Sequence, residues 1–193
     1  MHSIFNENQK ALITLPPKKD DEAEIFAEWD FSAGDLDFEG QKFIFPNGFH
    51  SSASARWLED ALLSVEISVS AEITAECARC LKATCLEISG NLMYLYYSRG
   101  AEGFDDLSGS QQDGFDDYMP VETEYFGRVL DIMPQIQESV FTLLPTKVLC
   151  KEDCKGLCPN CGADLNEGAC SCKNEDIDPR LEALRNFVVD DKQ

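Results

Sequence analysis

Only two histidines, His2 and His50, occur in the chain. Neither sits in the spacing of a metalloprotease helix or of a nucleophile–base pair, so each reads as an ordinary loop residue. A glycine-rich phosphate loop is also missing, and with it the nucleotide-hydrolysing classes that such a loop marks. No apolar run approaches the roughly 20 residues needed to span a bilayer. The opening Met1-His2-Ser3-Ile4-Phe5-Asn6-Glu7-Asn8 has no basic segment followed by an apolar one, as a secretory signal would. These absences predict a soluble, cytoplasmic chain with no membrane partner. Positive charge is scarce too: 16 basic residues face 36 acidic ones, for a net charge of −20. Such a surface repels phosphate backbones over a Debye length and attracts basic proteins.

Cysteine, by contrast, is abundant and patterned. Eight of the nine cysteines fall into close pairs, Cys77 with Cys80, Cys150 with Cys154, Cys158 with Cys161 and Cys170 with Cys172, leaving Cys85 over. Pro159 and Gly162 bracket the third pair, and thiolates grouped on such short turns suit tetrahedral zinc. Disulfides, a redox Cys-x-x-Cys and an iron–sulfur cluster are the other readings of the same residues. A reducing cytosol disfavours the first. A redox pair normally opens a helix, whereas Cys77 ends a strand pattern. Clusters usually take longer and less symmetric spacings. Zinc is the preferred reading, as two structural Zn²⁺ ions. Cys158, Cys161, Cys170 and Cys172 are close enough to form one site, which leaves Cys77, Cys80, Cys150 and Cys154 for the other. Two closed four-cysteine sites keep no open coordination position, which argues against catalytic zinc and for a protein that is not an enzyme. Cys85 lies in the opposite strand phase from the apolar residues and is read as a non-ligand.

The fold class expected is α+β: an antiparallel β-sheet domain with a packed helix, a C-terminal cysteine-rich zinc knuckle or ribbon module, and a short terminal helix. The clearest element runs from Leu63 to Cys77, where apolar and polar residues alternate without a break. Thr84 to Tyr97 reads as its return strand, making a hairpin tipped by Cys77 and Cys80. Ala11–Leu15, Ile25–Ser32 and Gln41–Phe45 are shorter strand candidates. Ile132, Ile136, Val140 and Leu144 recur at helical spacing, with Asp131 placed to cap and Pro134 in the first turn. Asp178, Pro179, Leu181, Leu184, Phe187 and Val188 predict the terminal helix. The expected boundary puts residues 1–149 in the sheet domain, with an acidic flexible loop near 99–124, and 150–193 in the metal module.

Between Arg99 and Arg128 there is no basic residue, and the tetrapeptide Gly-Phe-Asp-Asp occurs at 103–106 and again at 114–117. A solvated linker is the simpler meaning; a docking segment for a basic partner is the sharper one. The segment from Pro145 onward has a net charge of only −3, so any RNA contact would fall there. Lys147, Lys151 and Lys155, with Arg79 on the hairpin knuckle, are the candidates, against the plainer reading that the lysines offset thiolate charge.

The cysteine-bearing segments resemble the YceD family, bacterial and plastid proteins associated with accumulation of large-subunit ribosomal RNA. The resemblance is carried by Glu76-Cys77-Ala78-Arg79-Cys80-Leu81, the continuous run Leu149 to Asn166, Cys170-Ser171-Cys172 and Asp178-Pro179-Arg180. It implies a non-enzymatic cytoplasmic factor in synthesis, processing or stability of 23S ribosomal RNA. Family members are often encoded beside a small basic ribosomal protein of the same subunit. A basic ribosomal protein or a large-subunit assembly intermediate is the expected partner, with ribosomal RNA reached indirectly. A direct RNA-binding zinc module and a thiol redox or zinc-transfer protein are the alternatives.

Overall fold

The computed structural model describes residues 3–6, 8–17, 23–59, 61–98, 118–123 and 126–172. Nine strands and one helix lie within them: β1 Leu12–Thr14, β2 Glu24–Phe31, β3 Gly34–Phe38, β4 Gln41–Phe45, β5 Phe49–Glu59, β6 Leu62–Glu76, β7 Ala83–Ser98, β8 Tyr118–Thr123, β9 Val129–Asp131 and α1 Met133–Leu143.

The alternating stretch in the sequence becomes β6, the axis of a seven-stranded sheet. Val65, Ile67, Val69, Ile73 and Ala75 are buried, while Glu72 and Glu76 on the other face are exposed. Along one edge β6 pairs with β7 over its whole length, from Leu62 with Tyr97 to Glu76 with Ala83. A strand has two edges, so β5 and β4 must share the second. β5 takes Leu62 to Ser70, and β4 takes Thr74 and Ala75. β2 extends the sheet beyond β5, and β3 beyond β4. These pairings are all antiparallel; β8 joins the far edge of β7 in parallel. β1 and β9 form a separate two-stranded ribbon.

α1 covers the apolar face. Ile132, Ile136 and Val140 are fully buried, and two tyrosines of β7 fasten the helix by polar contacts. The Tyr94 hydroxyl bonds the Gln135 carbonyl at 3.1 Å and the Ser139 hydroxyl at 3.0 Å, and Tyr96 donates to Gln135 Oε1 at 2.6 Å. Buried hydroxyls require such partners, so the two tyrosines fix the rotation of α1 as well as its distance. At the helix end, Leu143 sits so close to Gly90 that a Cβ there would lie 2.4 Å from Leu143 Cδ2.

Several expectations are corrected. β3, β5 and β9 were not expected. β8 occupies 118–123, inside the segment read as an acidic loop; residues 99–117 lie outside the described residues. The formal helix N-cap is Ile132, not Asp131. Asp131 acts from one position further out: its Oδ1 accepts from Met133 N at 3.1 Å and from Ala11 N at 3.2 Å, tying the helix start to the segment before β1. The predicted terminal helix after Asp178 also lies outside the described residues. Among the described residues no helix is long and apolar enough to cross a membrane.

Candidate metal centres

The β6–β7 hairpin delivers the first two cysteines. Cys77 follows the last residue of β6 in the buried phase, and Cys80 ends the turn; both are buried. The chain leaving α1 supplies the other two. Leu144 turns extended, Val148 packs into the core, and the Val148 carbonyl accepts from Ala78 N at 2.8 Å. This contact brings Cys150 and Cys154 against the hairpin tip. All four Sγ atoms lie within 4.8 Å of one another. Cys77 Sγ is 3.8 Å from Cys154 Sγ, and Cys80 Sγ is 3.6 Å from Cys150 Sγ.

A tetrahedral ion with metal–sulfur bonds of about 2.3 Å requires sulfurs about 3.8 Å apart, so the cage has the right size for a divalent metal. The separations are far too long for S–S bonds of about 2.05 Å, and all nine cysteines are free thiols. Cys158, Cys161, Cys170 and Cys172 form a second cluster with the same 4.8 Å limit, more open to solvent than the first. The expected partition of the eight cysteines is thus the one the chain adopts. Cys85 stands apart, exposed on β7 with its sulfur 3.5 Å from Thr74 Oγ1.

The two Cys-x-x-Cys turns share one backbone pattern. Leu81 N donates to the Cys77 carbonyl, and Cys77 N to that of Lys82, both at 2.9 Å. One repeat later, Gly162 N donates to the Cys158 carbonyl at 2.9 Å and Cys158 N to that of Ala163 at 2.8 Å. Each turn needs a left-handed residue just after its second cysteine. Gly162 supplies it at φ 72°, without a Cβ to clash. Leu81 supplies it at φ 59° and carries strain there, with its side chain 60% exposed.

These turns aim N–H groups at sulfur. Burial pushes the Cys77 thiol up, but bonds from the backbones of Arg79, Cys150 and Cys80 outweigh it and hold the thiol at about 6. Cys158 is likewise drawn down to about 6, first by the backbone of Cys161 and then by that of Asn160. Other thiols in each cage move the opposite way. Cys150 is pushed up to about 12 by burial and by its neighbours Cys80, Cys154 and Cys77. Cys172 rises to about 12 through its contact with Cys161 and through burial. Four thiolates cannot gather without a counter-charge, and a divalent cation supplies it.

Arg79 had been a candidate for phosphate. Its Nη1 donates to the Cys154 carbonyl at 2.6 Å and the Glu152 carbonyl at 3.4 Å, while its own carbonyl accepts from Leu157 N at 3.2 Å. The residue therefore brackets the hairpin to the loop holding Cys154, a role with no signal in the sequence beyond its place between two ligands. Lys147, Lys151 and Lys155 are exposed around the first cage, with Lys151 Nζ 3.8 Å from Asp153.

Comparison with known proteins places this geometry. Residues 65–188 match the family model described as "Large ribosomal RNA subunit accumulation protein YceD". An Arabidopsis thaliana protein named large ribosomal RNA subunit accumulation protein YCED homolog 1, chloroplastic, is 34% identical over 58 residues, covering 30% of this chain and 18% of that protein. Uncharacterized proteins of Mycobacterium tuberculosis and Mycobacterium bovis are each 31% identical over 121 residues, covering 61% of this chain and 51% of theirs. The chain thus spans about half or less of the length of these curated relatives. No solved structure matches. Both sulfur cages, α1, β7 and all but the first three residues of β6 fall inside the matched residues, and the chain belongs to the YceD family of large ribosomal RNA subunit accumulation proteins.

Proposed function

We propose that this chain is a non-enzymatic cytoplasmic factor that supports 23S ribosomal RNA by holding a basic ribosomal protein or assembly intermediate. Two structural Zn²⁺ ions would brace the holding surface. Zinc suits all-thiolate cages of this size, and Cys77, Cys80, Cys150 and Cys154 would hold one ion, Cys158, Cys161, Cys170 and Cys172 the other. In this reading the metals lock the hairpin tip to the exit of α1, so the sheet keeps one shape while a partner binds.

The observation that carries the proposal is the charge of the sheet face opposite α1. By register, Glu24, Phe26, Glu28 and Asp30 of β2 share that face with Glu66 and Glu72 of β6 and Glu87 of β7. Phe26 is 71% exposed among these carboxylates. Arg56 and His50 share the face, and His50 lies 2.9 Å from Asp30. An acidic face with one aromatic anchor suits a basic protein that presents an apolar notch. The competing reading, phosphate contact through Arg79, Lys147, Lys151 and Lys155, is weakened because Arg79 is engaged on two carbonyls.

Reversing Glu24, Glu28, Glu72 and Glu87 to lysine is expected to weaken binding of purified small basic large-subunit ribosomal proteins at least tenfold. Titration at low and high salt reads this effect, and the native chain's affinity should fall as salt rises. Unchanged affinity in the variant, or binding to RNA alone with no basic protein bound, contradicts the proposal.

A further inference from the structure

One side chain from the loop of the second sulfur cage reaches a ligand of the first. Asn166 belongs to the loop between Cys161 and Cys170, and so to the second cage's own turn. Yet its Nδ2 donates to Cys154 Sγ of the first cage at 3.4 Å. Its Oδ1 accepts from Lys155 N at 2.9 Å, next to that same cysteine. The orientation of the amide follows from chemistry: a backbone N–H needs the oxygen, and a thiolate and a carboxylate need the N–H donors. Asp164 is the carboxylate. Its Oδ1 accepts from Asn166 Nδ2 at 2.7 Å and from Asn166 N at 2.8 Å, which sets the amide in place.

The loop carrying Asn166 is itself seated on the segment that follows Cys154. Leu165 N donates to the Gly156 carbonyl at 2.9 Å, and Leu157 forms an isolated bridge with Asp164. Within the loop the Glu167 N–H also donates to the Asp164 carbonyl at 3.2 Å, and Cys158, Cys161, Cys170 and Cys172 close around it. Closing the second cage therefore presents a preset N–H donor to a ligand of the first.

We infer that Asn166 is a positioning residue that couples the two metal centres, so that metal in the second cage tightens the first. The inference rests on the reading that both cages hold metal. By linkage the effect is reciprocal: metal in the first cage strengthens the second by the same factor. Hydrogen bonds to metal ligands of this kind change affinity by about 10- to 100-fold when removed.

The test is a cycle on the full chain, stripped with chelator and retitrated with Zn²⁺ against a competing chelator of known affinity. Cys170→Ser with Cys172→Ser disables the second cage and should weaken the first by about 10- to 100-fold. Asn166→Ala in the otherwise native chain should weaken the first by a similar factor, and adding the two serines to it should cost little more. Asn166→Asp keeps an oxygen for Lys155 N but removes the donor and sets a carboxylate against Asp164 and the Cys154 sulfur, so it should weaken the first cage at least as much as Asn166→Ala. A chain loaded with ¹¹³Cd gives a second readout that does not depend on refolding. Either Asn166 variant should shift the resonance of the first cage and leave that of the second in place. First-cage affinity within twofold of native in both Asn166 variants, or an unmoved first-cage resonance, overturns the coupling while leaving two metal sites intact. Failure of the native chain to bind two ions would instead overturn the metal reading itself.

Discussion

Replacing Cys77 by serine is expected to leave the chain with one metal ion in place of two and to lower its melting temperature by about 10 °C. Cys77 is fully buried at the point where β6 meets the segment leaving α1, so losing it opens the only sulfur cage that joins those two parts among the described residues. Loss of a structural metal stands among the few mechanisms that cost more than about 3 kcal/mol. For a chain of this size each kcal/mol moves the midpoint by roughly 2 to 4 °C. Native mass spectrometry and a thermal melt of the same sample read both effects. Cys85→Ser is the control and should keep both ions. Acid should act in the same direction as the mutation. Cys77 and Cys158 titrate near 6 against an ordinary 9.0, so the stability they contribute is fully present above about 9 and is lost as pH falls through about 6. Protons also compete with metal for every thiolate, which adds to the loss.

Gly156→Val carries the second large effect. Gly156 has φ 74°, and a Cβ there would lie 2.9 Å from the Arg79 carbonyl oxygen and 3.3 Å from Arg79 Cβ. A β-branched residue at that angle carries backbone strain of about 1–3 kcal/mol, before the clash with a carbonyl that cannot rotate away. That carbonyl already accepts from Leu157, and Gly156 passes its own carbonyl to Leu165. Valine is therefore expected to loosen the Arg79 bracket, detach the Asn166 loop and weaken first-cage metal affinity by more than tenfold, as read by chelator competition. Valine at Gly168, where an added Cβ meets nothing within 4 Å, should change little.

What could be foreseen follows physical contrast. The β6–β7 hairpin was legible because apolar residues alternate with charged or hydroxylated ones from Leu63 to Glu76, fourteen of the fifteen positions of β6. The partition of the cysteines was legible because sequence proximity settles one cage and leaves four thiols for the other. β5 was not legible: its buried row includes Ser51, Ala53 and Ala55, small residues with little contrast against Ser52 and Ser54 on the other face. Burial there is set by the strands on either side, not by β5's own hydrophobicity. β8 was hidden by Pro120 and by its acidic surroundings. An edge strand tolerates both, because one side of its backbone needs no partner strand. The roles of Arg79, Asp131 and Asn166 depend on carbonyls, amides and a sulfur brought together from distant positions, and no spacing rule reports such meetings.

If the sulfur cages hold metal as fixed braces, native mass spectrometry of the intact chain before and after exhaustive chelation shows it most directly. Two zinc ions per chain, eight thiols protected from alkylation while Cys85 reacts, and collapse of cooperative melting after chelation are the predicted result. A chain that carries no metal, or that melts unchanged once stripped, would contradict it.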